Sequence, residues 1–204
     1  MIDLDAIKNA GYKYTEIDTD IIMVHDFLTT DELDYLYSMA SNASEEDWSR
    51  AYMNKTKKAF ENQTEYSDLD TYIANDPNQW KDKILRLDSD QVIDGISGKV
   101  SNLITNNLEL HRFNAIQRHY PGTKLDEHWD RDRKPGLKYA SVIYINDDYE
   151  GGELYFPTRG IQVKPKAGSL VIFDSGPEYI HGVSVVEGTK TRYASVAFSW
   201  SKEE

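Results

Sequence analysis

At 204 residues, 39% of them hydrophobic, the chain is long enough to bury one sizeable core, and the expectation is a single domain over residues 1–204. A formal net charge of −12 repels phosphate-rich partners and anionic lipid, so neither nucleic acid nor a membrane is expected as a partner. The absence of cysteine excludes disulfides and thiolate chemistry, and with no export signal or membrane-length apolar run in the sequence the expected location is cytoplasmic.

Residues 3 to 10 read as a short helix ended by Gly11, and Glu16 to Phe27 as a strand region around Ile21, Ile22, Met23 and Val24. Thr29-Thr30-Asp31-Glu32 has the spacing of a capping box, in which threonine and glutamate side chains satisfy the free N–H groups of a helix start. The helix it opens carries Leu33, Leu36, Met39 and Ala40 at helical intervals and should back a sheet. Residues 41 to 87 are polar, with Trp48, Tyr52, Phe60, Tyr66, Tyr72 and Trp80 scattered among them. A structureless loop of that length does not suit a compact domain, so the stretch is expected to fold over the site as a lid or substrate wall. A second helix is expected from Asp88 to about Asn107, with Val92, Ile96, Val100, Leu103 and Ile104 on one face and Gly95 and Gly98 weakening it.

From Phe113 onward, short alternating strands are separated by turn signals that run from Pro121-Gly122 to Glu187-Gly188. That pattern favours a two-sheet jelly roll whose mouth can hold a ligand. The expected class is therefore α+β, mainly β. Residues 113–200 form the jelly-roll core, and residues 1–112 are an N-terminal elaboration whose helices pack on one sheet.

The chemistry concentrates in His128-Trp129-Asp130, His181 and Arg192. On an extended segment, residues two apart project to the same face, so His128 and Asp130 can chelate one ion while Trp129 points away. A lone His-x-Asp pair decides nothing in so acidic a chain, where a solvated loop is the better reading. In Ile180 to Val186, however, alternation puts His181 on a face with Val183 and Val185, the face expected to be buried. Two imidazoles and one carboxylate can hold iron(II) and leave its opposite positions open. Along Thr191 to Trp200, Arg192 shares a face with Ala194, Val196, Phe198 and Trp200. A guanidinium there needs a buried carboxylate, because an unmatched buried charge costs several kcal/mol, of order 3 to 5. Tyr144 shares a face with Ala140 and Val142. A planar fork and a phenol aimed into one cavity suit a small dicarboxylate.

These residues resemble a known family, the iron(II)- and 2-oxoglutarate-dependent dioxygenases, most closely the prolyl 4-hydroxylase-like branch. The resemblance runs in order and in register through Arg118-His119-Tyr120-Pro121-Gly122, His128-Trp129-Asp130, Val142 to Asn146, Gly151 to Phe156, Lys164 to Phe173, His181-Gly182-Val183 and Gly188 to Ala194. It covers residues 114 to 200 well, while 45 to 87 match nothing in the pattern. It implies a double-stranded β-helix with His128, Asp130 and His181 as iron ligands. Arg192 would bind the distal carboxylate of 2-oxoglutarate, Tyr144 would donate to the same group, and Tyr120 would line the co-substrate pocket. The implied reaction consumes oxygen and 2-oxoglutarate, releases succinate and carbon dioxide, and hydroxylates an unactivated C–H bond, with ascorbate as reductant.

The leading substrate is a prolyl residue in a peptide or protein. One rival is an oxygenase of the same fold acting on a free amino acid or other small molecule. The other is a non-catalytic jelly-roll binding module. Lys190 lies nearer the family's usual distance from the distal histidine than Arg192, but the fork and the following Tyr193-Ala194 favour the arginine. A carboxylate at position 130 argues against halogenating relatives, and Val196, Phe198 and Trp200 stand where nucleic-acid demethylases carry a second arginine. His25, His111 and His119 read as surface or hydrogen-bonded residues, Trp129 and Trp200 as packing, and Glu153 as a strand-surface residue. Arg131, Arg133, Lys134 and Lys138 read as a solvated loop able to orient an acidic or peptide substrate.

Overall fold

The computed structural model describes residues 2–50, 64, 65, 67, 83–104, 108–110, 112–133 and 136–201. Its strands in chain order are β1 (Tyr14–Asp18), β2 (Ile21–Val24), β3 (Trp48–Arg50), β4 (Lys83–Arg86), β5 (Leu108–Leu110), β6 (Ala115–His119), β7 (Leu125–His128) and β8 (Leu137–Tyr144). They continue with β9 (Glu150–Gly151), β10 (Leu154–Phe156), β11 (Ile161–Val163), β12 (Leu170–Asp174), β13 (His181–Val183), β14 (Val186–Glu187) and β15 (Arg192–Ser201). Among the described residues, a nine-stranded sheet runs β1-β2-β12-β8-β15-β6-β4-β3, with β5 added to β15, and a second sheet runs β11-β10-β13-β7. Every pairing within these sheets is antiparallel, and together they form the expected jelly roll.

Alternation along the central strands explains the layering. On β8, Ala140, Val142 and Tyr144 face the space between the sheets, while Tyr139 and Ile143 face the helices. On β12, Val171 and Phe173 point inward and Leu170 and Ile172 outward. Both faces are covered, so these strands read as nearly continuous apolar runs.

The outward layer is helix α1 (Leu4–Asn9), α2 (Thr30–Asn42) and α3 (Gln91–Ser101). The capping box at Thr29 and Glu32 is present, with Thr29 N–H donating to Glu32 at 2.8 Å and Glu32 N–H to Thr29 at 3.3 Å. Helix α3 is shorter than expected. Asp90 caps it by accepting from the N–H groups of Val92 and Ile93, both at 2.8 Å, and it ends at Ser101. Its buried face is Ile93, Ile96 and Val100, with Val92 at the edge. The cap sets the helix phase, which the list of apolar residues alone does not.

Residues 51–63, 66 and 68–82 lie outside the described residues, and with them most of the expected lid, including Tyr52, Phe60, Tyr66, Tyr72 and Trp80. The flanks of that stretch form β3 and β4, which extend the large sheet beyond β6. Trp48 is only 4% exposed, lying with the helix-side core against Tyr193 and beneath the Arg118 guanidinium, so it is no part of an exposed wall. No helix among the described residues is long and apolar enough to cross a membrane.

Candidate metal centre and cavity

His128 ends β7 and His181 opens β13, and the two residues are cross-strand partners with ring centroids 4.4 Å apart. Each ring is held in the same way. His128 Nδ1 lies 2.8 Å from the carbonyl of Asp126, and His181 Nδ1 lies 3.0 Å from the carbonyl of Tyr179, in both cases two residues upstream. A carbonyl only accepts, so each Nδ1 carries the proton and the lone pair of each ring is on Nε2. Asp130 lies between them, Oδ1 3.6 Å from His128 Nε2 and Oδ2 3.6 Å from His181 Nε2. One ligand atom of each residue lies within 4.8 Å of the others. This donor set fits a divalent ion of the iron type, with the tautomers already fixed and the carboxylate between the two rings. Burial pushes the His181 imidazole below its ordinary value, opposed by Asp130, and so keeps the ring neutral. Phe173 packs edge-on to that ring at 4.6 Å.

The strand-pleat argument accounts for His128 but not for Asp130. Strand β7 stops at His128, and Asp130 begins a 3-10 turn, Asp130–Arg133, so the turn and not the pleat sets the carboxylate's direction. Likewise Val183 is buried beside His181, but Val185 is 43% exposed, because β13 ends at Val183 and the alternation breaks before Val186.

A cavity of about 90 Å³ extends from this centre between the sheets. Its walls include Val142, Leu154, Phe173 and Ala194, and its polar end holds Arg192, Tyr144 and His119. Arg192 is 2% exposed; its Nε donates to the Gly152 carbonyl at 3.1 Å, and it forms no ion pair among the described residues. Gly152 has φ of +65°, and a β-carbon there would sit 3.0 Å from the Tyr149 ring and 3.1 Å from Arg192 Cδ, so this position must be glycine for the arginine to lie where it does. Beside the guanidinium are two buried phenols, Tyr144 and Tyr149, whose hydroxyls have no hydrogen-bond acceptor among the described residues. Burial raises the Tyr144 hydroxyl to about 12 and also raises that of Tyr149, with the Arg192 cation opposing both. A buried cation and two hydroxyl donors without an acceptor suit an incoming carboxylate. Lys190 is exposed, 3.9 Å from Asp148, away from the cavity.

Tyr120 is not where the sequence pattern put it. Alternation on β6 sends Gln117 and His119 into the cavity, and Tyr120, beyond the strand end, stacks under Arg118 and donates to Glu45 at 3.3 Å. His119 lines the cavity instead, directly across from Arg192 on β15. Burial, then the neighbouring Arg192 charge, push this imidazole down to about 3, so it is neutral. Parity counted along Ala115 to His119 was the signal that could have found it. Tyr149 had no such signal, since it sits in the loop after β8 and reaches the site only through the fold. His111 lies outside the described residues, and His25 is near the surface, its Nε2 2.8 Å from the Thr15 hydroxyl. Glu153 is half-buried; burial pushes its carboxyl up, but the hydrogen bonds it accepts, from the Ser184 hydroxyl first, outweigh this and leave it below its ordinary value.

Residues 114–200 match the family model described as the 2OG-Fe(II) oxygenase superfamily. Among curated proteins the chain is 40% identical over 72 residues to prolyl 3-hydroxylase 3 of Mus musculus and 42% identical over 64 residues to prolyl 3-hydroxylase 2 of Homo sapiens. Those stretches are 32% and 29% of this chain but only 10% and 9% of the relatives, so the chain matches about a tenth of their length. Among solved structures, a prolyl hydroxylase of Trichoplax adhaerens in complex with a hypoxia inducible factor peptide fragment superposes with a TM-score of 0.68 at 16% identity, covering 92% of this chain and 87% of that one. A Pseudomonas putida prolyl-4-hydroxylase gives 0.60 at 19% identity, covering 97% of both chains. At these identities the structural likeness establishes the double-stranded β-helix fold.

Proposed function

We propose, on the premise that residues 114–200 belong to the 2OG-Fe(II) oxygenase superfamily, that this chain is an iron(II)- and 2-oxoglutarate-dependent dioxygenase hydroxylating a prolyl residue in a peptide or protein. The observation that carries the reading is the convergence of His128, Asp130 and His181, with both imidazoles held in the tautomer that presents Nε2 to an ion. His128, Asp130 and His181 would hold the iron. Arg192 would anchor the distal carboxylate of 2-oxoglutarate, with Tyr144 donating to it and His119, in place of Tyr120, closing the wall beside it. Iron(II) in that site, with 2-oxoglutarate and oxygen, supplies the oxidising power to hydroxylate an unactivated C–H bond.

The chain's own share is orientation and exclusion. Arg192 fixes the co-substrate end for end, because a planar fork accepts a carboxylate in one geometry. The apolar walls keep bulk water from the reacting centre. The relatives named as prolyl hydroxylases and the peptide in the Trichoplax adhaerens complex support a peptide substrate. The charge of −12 disfavours nucleic acid. We read residues 1–112 as part of the same domain, since β1 to β4 extend the sheet that carries Arg192.

The test is anaerobic addition of iron(II) and 2-oxoglutarate, followed in the visible range for the charge-transfer band of the chelate. Oxygen and a proline-containing peptide are then supplied, with succinate and hydroxyproline measured. His128→Ala should abolish the band. A wild-type protein that shows no band and yields no succinate would leave the reading without support.

A further inference from the structure

Asp130 points at the two imidazoles from a turn, not from a strand, and the turn is secured by the residue that follows it. The Arg131 N–H donates to the Ser175 carbonyl at 3.1 Å, its Nε to the Leu137 carbonyl at 2.6 Å, and its Nη2 to Asp174 Oδ1 at 3.1 Å. One residue thus ties the Asp130–Arg133 turn to the end of β12 and the start of β8. The corner it grips also serves the other half of the centre. Asp174 Oδ1 accepts from the Gly176 N–H at 2.7 Å, the Gly176 carbonyl accepts from the Tyr179 N–H at 3.0 Å, and the Tyr179 carbonyl is the acceptor that orients His181.

We propose that Arg131 is a positioning residue for the metal centre: its fork holds the Asp130 carboxylate in register with His181 by locking the turn onto the Asp174–Gly176 corner. The inference rests on the reading of His128, Asp130 and His181 as metal ligands. It differs from the solvated role expected for the basic cluster. The side chain is one-third exposed, so its ion pair with Asp174 adds little to global stability. Its effect falls on ligand geometry, where the loss of a supporting contact costs about 10–100-fold in metal affinity.

The fork is the necessary feature. Nε and Nη2 bond two acceptors on two different strands, a carbonyl and a carboxylate, whereas a lysine ammonium at the same reach is a point charge on a flexible stem. Arg131→Lys should therefore fail to restore what Arg131→Ala loses.

Cobalt(II), added to the metal-free full chain, is the probe, read by its visible absorption and titrated for the dissociation constant, with thermal unfolding recorded in parallel. Wild type should bind with a spectrum that Asp130→Ala alters. Arg131→Ala and Arg131→Lys should both raise the dissociation constant by about 10-fold or more and shift the spectrum toward that of Asp130→Ala, while unfolding close to wild type. Wild-type affinity and spectrum in a folded Arg131→Ala overturn the proposal, as does full rescue by lysine. Should Arg131→Ala not fold, Asp174→Ala, which removes the Oδ1 acceptor, decides: weaker cobalt binding in a folded protein supports the proposal, and an unchanged constant overturns it. A wild-type chain that binds no cobalt defeats the functional reading itself, before any variant is compared.

Discussion

On the proposed function, replacing Arg192 by methionine should make the protein more stable and less able to bind 2-oxoglutarate. Without 2-oxoglutarate, Arg192 is a 2%-exposed cation that forms no ion pair among the described residues and has one hydrogen bond to a carbonyl. Methionine keeps most of the stem's volume and removes the charge. Apolar replacement of buried ionic groups gains about 1–4 kcal/mol, and for a chain of this size that is a rise of roughly 2–4 °C in Tm for each kcal/mol. With 2-oxoglutarate present the order reverses. At one hundred times its Kd a ligand stabilises wild type by about 2.7 kcal/mol, a shift of about 5–10 °C.

Loss of two charge-assisted hydrogen bonds, each worth about 1.5–3 kcal/mol, weakens binding by at least about a hundredfold. At the same concentration the variant should then gain no more than about 0.4 kcal/mol, or about 1 °C. The assay is thermal unfolding of both proteins loaded with manganese(II), with and without 2-oxoglutarate. A variant that is less stable than wild type without ligand, or that keeps the wild-type shift with it, would refute the assignment of an unmet buried charge awaiting a carboxylate.

Gly152→Ala should weaken 2-oxoglutarate binding by a different route, because its β-carbon presses on both the Tyr149 ring and Arg192 Cδ at a backbone φ of +65°. The left-handed conformation alone costs about 1–2 kcal/mol, so unfolding should move down while the co-substrate Kd, by calorimetry, moves up. His128→Ala should abolish tight cobalt(II) binding while leaving the far-ultraviolet circular dichroism unchanged, since the ring sits at the end of β7 and not within a core cluster. Asp90→Ala removes the cap of α3 and should cost about 1 kcal/mol at neutral pH. The Tyr35 hydroxyl and the N–H groups of Ile93 and Val92 hold the Asp90 carboxyl below its ordinary value. Its contribution is therefore present above the unfolded pKa of about 4 and lost as pH falls through the lower folded value. Denaturant melts of wild type and variant should differ at pH 7 and draw progressively together as pH falls below about 4; a gap that does not narrow there would contradict the cap's ionic character.

The periodic features were legible in the chain itself. The inward face of β8, the run Arg192, Ala194, Val196 and Phe198 into the cavity, and the capping box at Thr29 each follow from a local repeat of two or of about 3.6 residues, which neighbours along the chain enforce without help. The types of the candidate ligands were legible for the same reason, since His128 and His181 lie on strands. Tertiary structure decided whatever sits where a repeat stops. Asp130 is aimed by a turn two of whose anchors, Asp174 and Ser175, are more than forty residues away. His119 displaces Tyr120 from the cavity because β6 pairs with β15 in one register and ends there, and Tyr149 reaches Arg192 only because Gly152 lets the loop close. Trp48 is buried because β3 joins a sheet edge that its own polar neighbourhood does not foretell. A strand's pleat fixes which way a side chain points only while the ladder lasts. Beyond its last hydrogen bond, direction is set by whichever distant strand supplies the next partner, and no local pattern encodes that partner.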